Sequence, residues 1–343
     1  MSDLDEVRLA SWLRSNLAGF TEIQALEKFA GGQSNPTYRL DTAEGPYVLR
    51  RKPFGVLLPS AHAVEREYRL LAALSPTGFP APRPTVLCED AEVIGAPFYI
   101  MEMVEGRGFW DGALPEAPKA ERVPLYEAMI DTLAALHGLD HVALGLGDFG
   151  RPGNYFVRQI ERWTRQYRAA QTDDIPEVEK LIDWLPRTAP EQGRTAIIHG
   201  DYRIDNLIYR PDRPDVAAVL DWELATIGDP LADFAYLAMN WVTPQDGRSG
   251  LGGVDLKALG LPTLDDAVAR YCAAAGRDGL PDLRWYFAYN QFRLLGILQG
   301  VKKRLADGNA SSAEAATVAA RVVPLAKAAW SEARQLGAKD QGE

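Results

Sequence analysis

The sequence predicts an α+β protein of two lobes, a small antiparallel β lobe over residues 1–104 and a larger helical lobe over residues 105–343. Three observations carry this reading. The hydrophobic period changes near Glu105, from short alternating runs separated by Gly- and Pro-containing turns to long stretches with apolar residues three and four apart. The 343-residue chain exceeds the roughly 150 residues that one core commonly serves. Finally, an island of short β runs interrupts the helical half and carries a dense group of Asp, Asn and His residues.

The elements follow in order. Leu4, Val7, Ala10 or Ser11, and Leu17 stand near helical spacing, so Leu4–Leu17 reads as an amphipathic helix. Ile23–Phe29, Thr37–Asp41 and Tyr47–Arg51 are β-like runs separated by Gly31-Gly32 and by Glu44-Gly45-Pro46, the pattern of an antiparallel meander. His62–Leu74 returns to helical spacing through Val64, Leu70, Leu71 and Leu74. After the Pro-rich passage Pro80–Pro84, strands at Pro84–Cys88 and Pro97–Met103 complete the small lobe. Helices are expected at Lys119–Leu139, Asn154–Ala170, Val178–Leu185, Pro230–Trp241, Asp265–Ala275, Pro281–Leu305 and Ala313–Leu336. The β island, Thr195–Ile198, Asn206–Tyr209 and Val216–Leu220, is expected to form a small hairpin inside them.

Composition narrows the function classes. Apolar residues make up 47% and charged residues 24%, a globular balance. A net charge of −10 argues against a broad basic face for nucleic acid, while a local basic pocket for a small anion stays open. Cys88 and Cys272, the two cysteines, are too few for a disulfide scaffold and lack the spacing of a zinc site, so a reducing compartment is expected. The start MSDLDEVRLA is acidic, without the apolar core of a secretory signal. No apolar run is long enough to cross a bilayer, the longest candidate lying around Val93–Met101. The expected location is the cytoplasm, with no membrane partner.

The chemistry concentrates in two segments. Ile198-His199-Gly200-Asp201-Tyr202-Arg203-Ile204-Asp205-Asn206 places Asp201 five residues before Asn206 in a loop leaving a strand, and Leu220-Asp221-Trp222-Glu223 ends a later strand with a second Asp. Phosphoryl transfer needs a carboxylate for the acceptor hydroxyl and hard oxygen ligands to hold magnesium against ATP phosphates. Asp201, Asn206 and Asp221 supply that set. Singly, each is also an ordinary turn former. Upstream, Phe29-Ala30-Gly31-Gly32-Gln33-Ser34-Asn35 joins two strands and brings backbone N–H groups and Ser34 into position for phosphate oxygens, or serves only as a Gly-containing hairpin.

These residues resemble the aminoglycoside phosphotransferase family, whose H-G-D-x-x-x-x-N and L-D-W-E patterns match His199 to Asn206 and Leu220 to Glu223. GGQSNPTYRL, YVLRRKP, AHAVEREYRLL and HGDYRIDNLIY are more narrowly similar to the kinase-like domain fused to acyl-CoA dehydrogenase domains. The resemblance runs from about Phe29 through the last helix. It implies a bilobal protein-kinase-like fold, with a nucleotide-binding N-terminal lobe and a C-terminal lobe holding the catalytic loop and acceptor site. It also implies that ATP and magnesium are used and that Asp201 is the base. Asn206 and Asp221 are then the magnesium ligands. Arg50 faces the phosphates with Glu67 as its ion-pair partner, although Lys52, two residues on, competes for that role. Arg203 stands where a catalytic-loop cation approaches the γ-phosphate, unless it pairs with Asp205. Phe98–Met101 and the following Glu102–Gly106 resemble the hinge that receives adenine. Met101 and Met103 are candidate nucleotide contacts there, with lobe packing as the ordinary alternative.

Other features have plainer readings. His137 ends an apolar helix as a capping or packing residue, and His62 and His141 belong to no metal set. Trp285, Tyr289, Phe292 and Gly296 share a helix face with Arg293 beside them and Lys302-Lys303-Arg304 at its end. Core packing explains the aromatics, and an aromatic-walled acceptor pocket with a basic rim is the second reading. The expected function is an ATP-dependent kinase of a small-molecule hydroxyl acceptor. A hydroxyacyl thioester ranks above an aminoglycoside as acceptor, and a non-catalytic nucleotide-binding module is the alternative from another class.

Overall fold

The computed structural model describes residues 4–29, 35–55, 62–151, 153–245, 248–308 and 315–339. The chain opens with α1 (Glu6–Asn16), whose N-cap Asp5 accepts a hydrogen bond from the backbone N–H of Arg8 at 3.0 Å. Its buried stripe is Leu9 and Leu13, flanked by Leu4 and Leu17. Val7, expected on that stripe, is 81% exposed, because residues four apart, not three, line up over this sheet.

Strands β1 (Ile23–Lys28), β2 (Thr37–Thr42) and β3 (Gly45–Arg51) form the expected meander. After α2 (Val64–Leu74) come β4 (Pro84–Cys88) and β5 (Phe98–Glu102), giving an antiparallel sheet of order β1-β2-β3-β5-β4. Strand alternation divides this sheet into two faces. Tyr38, Leu40, Leu49 and Ile100 face α1 in a core of their own. On the other face Val48 pairs with Met101 and Arg50 with Tyr99. There Val48, Tyr99 and Met101 join the α2 residues Leu70, Leu71 and Leu74 in a core continuous with the helical lobe.

The helical lobe begins with β6 (Arg107–Gly108), α3 (Lys119–Gly138), α4 (Tyr155–Ala170) and α5 (Pro176–Arg187). The β island folds differently from the expected hairpin of three runs. β7 (Ala196–Ile198) leaves β8 (Leu207–Tyr209) and β9 (Val216–Val219) to pair with each other and with β6, and takes β10 (Thr226–Gly228) as its own antiparallel partner. The loops between them are thereby clamped from both sides. Next come α6 (Pro230–Ala238), α7 (Leu256–Leu259), α8 (Leu264–Ala275) and α9 (Arg284–Ala306). The last predicted helix is two, α10 (Ala315–Ala320) and α11 (Val322–Gln335), and the predicted helix to Trp241 tightens into a 3₁₀ turn at Met239.

The aromatic face of α9 is core. Trp285, Tyr286 and Tyr289 meet Phe156 of α4 edge to face, with centroids 5.0–5.4 Å apart. Those rings are buried, so the packing reading holds and they wall no open acceptor pocket. Of the terminal basic residues, Lys302 pairs with Asp173 and Lys303 with Asp307 at 2.6 Å. No helix among the described residues is long and apolar enough to cross a membrane.

Candidate active site between the lobes

A cavity of about 330 Å³ opens between the inner face of the small sheet and the β8–β9 hairpin. One end is apolar, walled by Val48, Leu71, Met101, Met103, Ile208 and Leu220; the other carries Arg50, Glu67, Asn206 and Asp221. Its size and composition suit a small organic ligand fixed by a few polar groups. Met101 and Met103 pack against the core, the ordinary reading considered for them, and also line the cavity. Trp110 stands on the rim, 73% exposed. Ser34 and the Gly-Gly pair before it lie outside the described residues.

The charged end is built by strand register. Arg50, on the inner face of β3, sets Nε 2.8 Å from Oε2 of Glu67 on α2 and Nη2 2.6 Å from Oδ1 of Asp221. Burial opposes the Arg50 charge, but Glu67 and Asp221 outweigh it and hold the guanidinium protonated. Burial pushes the Glu67 carboxyl up, against the pull of Arg50. Both Glu67 oxygens also accept hydrogen bonds, one from Asn35 Nδ2 at 2.7 Å and one from Tyr99 OH at 3.2 Å. Lys52 lies just past the end of β3, and its ammonium turns to Glu65 at 2.8 Å. Of the two cations considered, Arg50 is the one that lines the cavity.

The loop from β7 to β8 holds Asp201. Its entry, Gly200, has φ +85°, and a Cβ there would lie 2.7 Å from the carbonyl oxygen of Leu224, so only glycine fits without distortion. The N–H groups of His199 and Gly200 both donate to the carboxylate of Asp233, at 2.8 Å for Gly200. His199 is fully buried. Its Nδ1 accepts the Asp201 N–H at 3.1 Å, which leaves the proton on Nε2 to donate to the Leu220 carbonyl at 2.8 Å. One imidazole thus ties the loop of Asp201 to the loop of Asp221. Asp221 itself takes a left-handed conformation, φ 63°, tolerated by Asp better than by most residues.

Around the Asp201 carboxylate, Tyr236 OH donates to Oδ1 at 2.9 Å and Asn206 Nδ2 to Oδ2 at 3.2 Å. Asn206 Nδ2 also donates to the Asp201 carbonyl at 2.8 Å. Arg203 lies 3.2 Å from Asp201 Oδ1 and 3.0 Å from Asp205 Oδ2, so it makes the Asp205 pair considered for it and also reaches Asp201. Burial weakens the Arg203 charge, but Tyr236, Asp201 and Asp205 outweigh that and keep it protonated. Burial pushes the Asp205 carboxyl up, opposed by Arg203.

Three contributors escaped the sequence reading. Tyr236 and Asp233 both sit on α6, every residue of which is buried. The legible signal was Asp233 itself, a carboxylate inside the apolar run Pro230–Ala238, since a charge is buried only with partners. Burial opposes its ionisation, but His137, His199 and the Gly200 N–H outweigh burial and hold its carboxyl below the usual range. Asn35 is the third, buried between Glu67 and His62. His137 packs as expected, its ring edge to face with Tyr271 at 5.8 Å, and is polar as well. Its Nδ1 lies 2.8 Å from Tyr271 OH and its Nε2 3.6 Å from Asp233 Oδ2, making it part of the polar support behind the loop.

Residues 25–286 match the family model described as the phosphotransferase enzyme family. Acyl-CoA dehydrogenase family member 10 of Mus musculus is 44% identical over 314 residues, covering 91% of this chain and 29% of that protein. The chain spans less than half the length of such curated relatives. A solved structure from Ralstonia eutropha JMP134, provisionally assigned as an aminoglycoside phosphotransferase, is 45% identical. It covers 98% of this chain and all of that one, with a TM-score of 0.87. A thermostable mutant of aminoglycoside phosphotransferase APH(4)-Ia, in ternary complex with ADP and hygromycin B, shares the fold at 18% identity and a TM-score of 0.61. It covers 94% of this chain and 97% of that one.

Proposed function

This chain belongs to the phosphotransferase enzyme family, and on that premise we propose that it transfers the γ-phosphoryl group of ATP to a hydroxyl of a small molecule. The observation that carries the reading is the meeting of Arg50, Glu67, Asn206 and Asp221 at one end of a single cavity, with Asp201 hydrogen-bonded to Asn206. The apolar end of the cavity suits a purine, with Met101 and Met103 against the base and Arg50 toward the phosphates. The family fold is one in which a solved relative holds ADP.

Asp201 accepts the proton of the acceptor hydroxyl as that oxygen bonds to the γ-phosphorus and the bond to the bridging oxygen of ADP breaks. Tyr236 and Asn206 hold the carboxylate in place, and Arg203, anchored on Asp205, keeps positive charge beside it. Asn206 and Asp221 fit magnesium. Both amide N–H contacts of Asn206 go to Asp201, which leaves its carbonyl oxygen without a partner among the described residues. Asp221 adds a carboxylate in the same cavity, and hard oxygen ligands of this kind, completed by phosphates and water, are what this ion takes. Bound there, it would neutralise charge on the phosphate oxygens.

As acceptor, similarity to a segment of acyl-CoA dehydrogenase family proteins supports a hydroxyacyl thioester over an aminoglycoside. The two free, buried cysteines support the cytoplasm as the location. Incubation with ATP, magnesium and a panel of hydroxylated metabolites tests the reaction through acceptor-dependent ADP. ATP binding without such ADP across the panel would make the chain a non-catalytic nucleotide-binding module.

A further inference from the structure

The middle of α9 places a guanidinium beside the candidate base. Arg293 is only 7% exposed, and no carboxylate among the described residues forms an ion pair with it. Its one hydrogen bond among them runs from Nη2 to the carbonyl oxygen of Gly200, the residue before Asp201. The guanidinium lies over the ring of Tyr236 at 5.2 Å and near that of Trp163 at 5.8 Å. Tyr236 in turn donates to Asp201. A guanidinium has five N–H donors in a planar fork, so most of this one's donors have no protein partner. Beside it, the indole Nε1 of Trp163 is buried without a hydrogen bond.

A buried guanidinium with one hydrogen bond is costly, and packing gives no reason for it, since Met or Leu would fill the same space between Trp163 and Tyr236. The donors that stay open are next to the carboxylate that must receive the acceptor's proton. We propose that Arg293 is the acceptor-recognising residue, its open guanidinium edge receiving a carbonyl or carboxylate oxygen carried within a few bonds of the hydroxyl that Asp201 deprotonates. The assignment rests on the phosphotransfer reading and adds the residue that selects the acceptor. It also predicts a preference against polycations, because Arg293 and Arg203 both stand close to Asp201 and an ammonium group there would meet like charge.

The test measures acceptor-dependent ADP with hydroxybutyrate isomers, their N-acetylcysteamine thioesters, butanediols of matching hydroxyl spacing, and kanamycin. The unaltered protein should favour the carbonyl-bearing acceptors over the diols by at least about tenfold in kcat/KM, since a site built to hydrogen-bond an oxygen rejects the analogue lacking it. Carboxylate against thioester separates the two sources of that oxygen. Arg293→Met should lower the carbonyl-bearing acceptors by at least about tenfold and leave the diols within about threefold, with ATP affinity unchanged. Arg293→Lys should fall between, and it decides by the same comparison if the Met variant no longer binds ATP. Equal losses on every acceptor, or a preference for diols or kanamycin, would overturn the assignment while phosphotransfer stands. No acceptor-dependent ADP from the unaltered protein would overturn the phosphotransfer reading, and this assignment with it.

Discussion

On the small-lobe side of the cleft, the register of neighbouring strands puts Val48, Arg50, Tyr99 and Met101 on one sheet face. At the Asp201 loop, contacts come from α6 and α9, with Tyr236 35 residues away in sequence and Arg293 93 residues beyond Gly200. The first side is assembled from local alternation and is mostly apolar, its buried polarity centred on Glu67, which is held by Arg50, Asn35 and Tyr99. The second gathers His199, Asp233 and Tyr236, all buried, and is held by hydrogen bonds between residues far apart in the chain. Under the proposed phosphotransfer, binding and chemistry are thus carried by different kinds of structure, and variants at the two ends should fail differently.

The largest effect is expected where the two ends meet. Asp221→Ala removes a candidate magnesium ligand and one of the two carboxylates nearest to Arg50, and nucleotide turnover in a magnesium titration should fall to background. Turnover that still follows magnesium as in the parent would remove Asp221 from the metal site.

Next, Asp201→Asn keeps the shape and the bond from Tyr236 but cannot take a proton. Acceptor phosphorylation should drop at least about a hundredfold, with ATP affinity, followed by calorimetry, within a few-fold of the parent. A drop explained by lost ATP binding would place Asp201 among the nucleotide ligands instead.

A smaller effect should follow Glu67→Gln at the binding end. Breaking a charge-assisted pair costs on the order of 1.5–3 kcal/mol, so the KM for ATP should rise about tenfold or more while Asp201-dependent chemistry in saturating ATP changes little. The pH dependence of stability should change too. Burial raises the Glu67 carboxyl in the folded state, so the folded protein holds that proton more tightly than the unfolded chain does. Its contribution to stability is therefore present below the unfolded value of about 4.3 and falls as pH rises toward the folded value. Denaturant midpoints across that window should lose part of this slope in Glu67→Gln. An unchanged slope would deny the burial effect.

The smallest loss is expected from Tyr236→Phe, which removes one of the bonds to Asp201. About 1 kcal/mol, or about fivefold in kcat with no change in the KM for ATP, is the expected size. A change confined to the KM for ATP would put Tyr236 at the wrong end of the cleft.

The sequence alone determined the meander, the α+β division, and the helices with strong periodicity, because alternation and apolar spacing are local properties read within a dozen residues. It also singled out Asp201, Asn206 and Asp221, whose motifs lie in short continuous segments, and, through the family resemblance, Glu67 with either Arg50 or Lys52. Tertiary structure decided what those segments could not contain. It chose Arg50 over Lys52 for the cavity by ending β3 at Arg51, and it split the β island by giving β7 to β10. It put Tyr236, Asp233 and Arg293 around one loop. A buried polar group takes whichever partner the packing brings within about 3 Å, and that distance is set by how helices far apart in the chain cross, which no local pattern records.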